Sequence, residues 1–175
     1  MTLVELLVVA AIIMLLSAIT IPNWNEGGER LKVVRVAHQI NQDIRRAQEL
    51  TLANADCPEC DCLETTSGYG LHFEDGSTDY FLFGDCKSDG TQGEYDENFP
   101  DETKEVISLE EGVEISELSN NKSSLTVTFT PPDPTAKIKA GGNDLNGGII
   151  KVSNNGYCRK IRTNKVGLVE IDECQ

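Results

Sequence analysis

From Met1 to Ile21 the chain is an apolar run with one charged side chain, Glu5. Read as a helix rising about 1.5 Å per residue, that length covers a bilayer core of about 30 Å. The basic start and short apolar core of a secretory signal peptide are missing. Beyond Gly27 and Gly28 the pattern turns amphipathic. Leu31, Val34, Ala37, Ile40, Ile44, Ala47 and Leu50 or Thr51 recur at spacings of three and four, with Arg35, Asn41, Gln42, Arg45, Arg46 and Glu49 at other positions. The two halves predict one long helix over residues 1–54. Pro22 is its single breaker, because it removes a backbone donor. The two glycines weaken the zone just beyond it.

A loop is expected over 55–68, after which the period switches to two. Residues 69–73 and 80–83 flank Asp75-Gly76-Ser77, a hairpin signal. Residues 84–104, rich in Gly, Asp and Glu, read as an exposed loop. Further strands are expected over 105–109, 113–118, 124–130, 136–140, 148–153, 157–162 and 166–171. Pro131, Pro132 and Pro134 end the strand before them, and 154–156 and Asn164-Lys165 are turn signals. Seven to nine short strands after a long helix predict an α+β fold. The helix, hydrophobic in its first half and amphipathic in its second, packs its stripe on an antiparallel β-sheet or small β-sandwich.

Of the 175 residues, about 120 remain once the helix is set aside, enough for one small head domain over 55–175 with its own core. The net charge is −14 and unevenly spread. Residues 57–122 hold 18 acidic and 3 basic side chains, a solvated surface that resists lateral sticking. Residues 151–165 hold Lys151, Arg159, Lys160, Arg162 and Lys165 and no acid. A carboxylate in hydrocarbon costs roughly 2.5–3.5 kcal/mol, so Glu5 is expected to have a partner. The favoured one is the α-amino group of a neighbouring copy, staggered by about one helical turn.

Thr2-Leu3-Val4-Glu5-Leu6-Leu7-Val8, the unbroken apolar run after it and Pro22 resemble the mature N-terminus of type IV pilins and type II secretion pseudopilins. Met1 departs from the phenylalanine usual at the first position. The resemblance implies that Met1 is the processed, N-methylated first residue, released by prepilin peptidase. It makes 1–22 the transmembrane or filament-core segment, with Met1, Glu5 and Pro22 as the assembly residues. It also implies a non-helical stretch between about residues 13 and 28 in the assembled filament. Asp43-Ile44-Arg45-Arg46-Ala47-Gln48-Glu49 and the ending from Gly147 to Ile171 are most similar to the GspH/FimT-like minor pseudopilins.

Six cysteines, Cys57, Cys60, Cys62, Cys86, Cys158 and Cys174, all follow residue 56 and read as disulfides of an exported domain. Fifteen full pairings are open. Bridging Cys86 to Cys60 or Cys62 staples the first hairpin. Pairing Cys158 with Cys174 ties down the C-terminus, a device the family uses. Cys57-Pro58-Glu59-Cys60 has the spacing of a zinc half-site, but no second such pair exists. Asp85, Asp89 and Asp96 form a weak calcium candidate, with Lys87 where the third-position ligand of an EF-hand belongs. The reading favours a solvated acidic loop and no metal.

Some FimT-like minor pilins bind DNA through a Gly-Arg-x-Arg motif in this C-terminal region. Here Gly156-Tyr157-Cys158-Arg159-Lys160-Ile161-Arg162 interrupts the motif. Lys151 with Arg159, Lys160, Arg162 and Lys165 could supply the phosphate contacts DNA binding needs, with Tyr157 as a candidate stacking group. The overall negative charge opposes nucleic acid. No nucleophile, base and orienting group form a set, so neither an enzyme nor a cofactor is expected. Asn121-Lys122-Ser123 is a glycosylation sequon.

The expected function is a structural subunit of an extracellular type IV pilus-like or pseudopilus filament, a helical homo-oligomer. Its expected location is the inner membrane, single-pass, before assembly, and an extracellular or periplasmic filament afterwards. A pilus or type II secretion machinery drives the transfer. The alternative is a minor subunit that binds DNA for uptake or primes a secretion pseudopilus.

Overall fold

The computed structural model describes residues 2–20, 23–53, 55, 66–86, 93, 95, 103–131 and 135–174. Two helical stretches are described, α1 (Leu3–Thr20) and α2 (Asn23–Leu52). They lie on either side of Pro22, which is outside the described residues. The non-helical stretch expected between about residues 13 and 28 is not seen in this single chain. Every described residue there is helical, including Gly27 and Gly28. Two glycines cost about 1 kcal/mol each, a small charge against a 30-residue helix whose later turns are locked by packing.

Val33, Val36, Ala37, Ile40, Ile44 and Ala47 of α2 are buried. The expected stripe was one position out of phase at its start. Leu31 is 57% exposed and Val34 only partly buried, while Val33 and Val36 face inward.

Ten strands are found among the described residues. They are β1 (Thr66–Glu74), β2 (Asp79–Cys86), β3 (Thr103–Ser108), β4 (Glu114–Leu118), β5 (Ser124–Phe129), β6 (Ala136–Ala140), β7 (Asn143–Leu145), β8 (Gly147–Asn154), β9 (Tyr157–Asn164) and β10 (Val169–Glu173). The strand beyond the expected count is β7, whose three residues are too few to show a period. All pairings are antiparallel, in two sheets: β3-β2-β1-β5-β6-β7 and β10-β9-β8-β4. The expected hairpin at Asp75-Gly76-Ser77 joins β1 to β2, with Gly76 at φ +76°, a backbone that glycine adopts freely.

One core joins the three layers. The α2 stripe meets Tyr69, Leu71, Phe73, Val127 and Phe129 from the larger sheet and Ile115, Ile150, Val152 and Ile161 from the smaller. No residue of α1 belongs to it, so the head completes its core without that helix. The Tyr80 hydroxyl, buried with its ring, donates to Asp43 and ties α2 to β2. Arg35 reaches Glu110 with two bonds of 2.7 Å, and Arg46 meets Glu105 at 2.8 Å. Such exposed pairs add little stability and mainly fix the helix's register on the sheets.

The larger sheet is covered on its other face too. Phe81 and Phe83 of β2 point away from α2, and Tyr95 packs on both at ring distances of 5.5 and 5.4 Å. The unbroken apolar run from Tyr80 to Phe83 is what a strand buried on both faces requires.

Candidate functional site

Every large apolar side chain of α1 from Leu3 to Leu16 is 50–78% exposed. Burying one fully is worth about 1.5–3 kcal/mol, so this helix has no stable resting place in water. Among the described residues no helix is long and apolar enough to cross a membrane. With 18 residues, α1 is about 27 Å long against a bilayer core of about 30 Å. The span expected over 1–22 is therefore not met within the described helix. Met1, Ile21 and Pro22, which would extend it, lie outside the described residues.

Two polar groups of α1 are satisfied locally. Ser17 Oγ donates to the Ile13 carbonyl at 2.8 Å, the i−4 bond that lets a hydroxyl sit in an apolar helix. At the start of α1, the Thr2 N–H donates to Glu5 Oε2 at 3.4 Å and the Glu5 N–H to Thr2 Oγ1 at 3.4 Å. This is a capping box, which satisfies two of the four amides left open at a helix start. Glu5 thus has a partner in its own chain, where the sequence favours one in a neighbour. The signal was present in the sequence as Thr2-Leu3-Val4-Glu5, the Thr-x-x-Glu pattern before an apolar run. The box engages one carboxylate oxygen and leaves Oε1 for a cation.

The basic C-terminal cluster is divided by the pleat. Arg159 lies on the same side of β9 as buried Ile161, while Lys160 and Arg162 lie on the other. Arg159 meets Glu173 at 2.7 Å and Arg162 meets Asp172 at 2.6 Å, both acids on β10. Arg30 of α2 reaches the same Glu173 at 3.2 Å. The hydrogen bond from Arg159, aided by Arg30, holds the Glu173 carboxyl below the usual range. Lys160 lies beside Lys151 and Asp172 across the strands. Lys165 stands apart at the turn into β10, exposed. The bases expected to act together on DNA do not share a face. The acids on β10 could have been placed from the sequence by pairing residues outward from the 164–168 turn.

The disulfide expected between Cys158 and Cys174 is present, with Cα atoms 5.7 Å apart. Cys86 is also disulfide-bonded. Cys57, Cys60 and Cys62 lie outside the described residues. Of the calcium candidates, Asp89 and Asp96 lie outside them as well. Asp85 is buried, not solvated, and its Oδ2 accepts the Gly93 N–H at 3.1 Å. Among the described residues no group of three or more metal-ligating side chains is found. Asn121 of the sequon is exposed at the short turn Ser119–Asn121.

A buried polar group that sequence reading did not single out is His72. It sits on the outer face of the larger sheet, 4.6 Å from the Tyr95 ring, with Nδ1 2.8 Å from Thr126 Oγ1. Burial pushes its imidazole down to about 4. The ring is held neutral at ordinary pH and serves packing. Comparisons with protein-family models, with characterised proteins and with solved structures find no match to this chain.

Proposed function

We propose that this chain is a structural subunit of an extracellular type IV pilus-like or pseudopilus filament, assembled through α1. The observation that carries the reading is a helix apolar on every side, joined to a head whose core is complete without it. A helix of that kind is a connecting element. It is held by lipid before assembly and by the same helix of neighbouring copies afterwards. Glu5, with one oxygen engaged by Thr2, offers the other to the α-amino group of a neighbour's Met1. That pairing neutralises two charges that an apolar core penalises. The disulfide near the chain end suits a head that works outside the cell.

The DNA-binding alternative has less to stand on, since Arg159 and Arg162 are spent on Glu173 and Asp172.

The test is microscopy of material sheared from producing cells, with mass spectrometry of the filaments. The expected result is filaments containing this chain, lost in Glu5→Leu while the variant still fractionates with membranes. Filaments of normal yield from Glu5→Leu overturn the pairing. Filaments that lack the chain overturn the structural role.

A further inference from the structure

Outside α1, the head carries exposed groups of charge that no internal partner absorbs among the described residues. Lys137 and Lys165 are exposed and join no ion pair among the described residues. They are neighbours, because the Ala136 N–H donates to the Lys165 carbonyl at 2.8 Å. Their place in the head is fixed by the next turn. The Gly167 carbonyl accepts from Gln48, near the C-terminus of α2, at 3.5 Å. Glu111 and Glu114 are also exposed and likewise join no ion pair among the described residues. The Glu111 carbonyl accepts from Lys32, in the early turns of α2, at 3.2 Å.

Lys32 and Gln48 are sixteen positions apart, about 24 Å along a helix. The head therefore has a basic end beside the close of α2 and an acidic end beside its start. Each end also exposes apolar side chains: Val166 at 78% and Leu168 at 55% beside Lys165, and Leu31 at 57% beside Lys32.

We infer that copies displaced along α2 by about the length of the head, rather than the pair joined at Glu5, dock end to end, Lys137 and Lys165 of one copy against Glu111 and Glu114 of the other. The inference rests on the filament reading and names its second contact. Complementary patches at opposite ends of one molecule make a heterologous contact, which propagates into a filament unless its rotation closes a ring. The net charge of −14 makes most encounters between heads repulsive. A register that sets these bases against these acids escapes that repulsion, so the contact also fixes the longer displacement between the copies it joins. Val166 and Leu168 meet Leu31 at the same junction and exclude water from it.

Charge reversal tests this in the full chain. Lys137→Glu with Lys165→Glu, and Glu111→Lys with Glu114→Lys, should each lower sheared filament yield about tenfold or more. The four changes together should restore it. Wild-type yield from both pairs, or no recovery in the combined variant, overturns the contact. Loss of filaments in Glu5→Leu beside undisturbed charge variants overturns the contact alone and leaves the filament reading. A second measurement needs no filaments from cells: carbodiimide cross-linking of the full chain in detergent micelles. Cross-links between copies joining Lys137 or Lys165 to Glu111 or Glu114 support the contact even where the filament reading fails. Cross-links confined to other acids overturn it.

Discussion

Thr2 and Glu5 cap the first turn of α1 from both directions, each N–H donating to the other's side chain at 3.4 Å. Glu5 is therefore an acceptor for an amide in its own chain, and the filament proposal adds a second, separable role as a charge for a neighbour. Glu5→Gln keeps an oxygen that can accept and removes the charge. It should lose filaments as fully as Glu5→Leu. Thr2→Ala, which removes one cap contact worth about 1 kcal/mol, should keep them. Sheared filament yield decides, and equal yields from wild type and Glu5→Gln leave Glu5 with capping alone.

Removing the C-terminal disulfide should weaken the head without unmaking its fold. Cys158 and Cys174 are 16 positions apart, and closing a loop of that size is worth about 3 kcal/mol. Cys158→Ser with Cys174→Ser should lower the unfolding free energy in urea by about that much. The larger loss should appear at β10, where Glu173 would no longer be held between Arg159 and Arg30.

Acid should destabilise the head through His72. The imidazole titrates near 4 in the folded chain and near 6.5 when unfolded. The unfolded state therefore binds the proton first as pH falls, and stability is lost between about pH 6.5 and 4. The shift corresponds to on the order of 3 kcal/mol. Urea unfolding at pH 7.5 and at pH 4.5 measures it. His72→Gln should flatten the difference, and an unchanged slope would place the acid sensitivity elsewhere.

Gly68→Ala should be among the most damaging single changes in the head. A Cβ there would stand 2.0 Å from the Phe129 carbonyl oxygen, on the β1–β5 seam. Backbone cannot yield that far without opening the sheet, so a loss of about 3 kcal/mol or more is expected. Thermal unfolding checks it, and a melting temperature within a degree or two of wild type would show that the strands can part at little cost.

The sequence showed most of what is local. The α2 stripe, the β1–β2 hairpin and the strands other than β7 announce themselves by period and by turn residues. It misled where two answers fit one pattern. Leu31 and Val34 satisfy a helical spacing as well as Val33 and Val36 do, and only the reach of the sheets chooses between them. The division into two sheets depends on β1 pairing with β5, a contact more than fifty residues apart that no local period encodes. Asp85 read as a solvated ligand because acids surround it in sequence. Its Oδ2 is instead taken up by the Gly93 N–H, a contact that no local period encodes. The capping box at Thr2 and Glu5 was legible, and was masked by the stronger apolar signal that follows it.

The even apolarity of α1 has one more consequence. Lipid tails and the leucine-rich sides of like helices are nearly the same solvent to it. If the filament proposal holds, hydrophobicity keeps this helix out of water but is almost indifferent between lipid and the filament core. Passage from one to the other is then close to an exchange at equal potential, which a modest bias can drive in either direction. That bias must come from the few groups the two hosts treat differently, the carboxylate at Glu5 and the charged ends of the head. On the filament proposal, a subunit built this way could be withdrawn as readily as it is added.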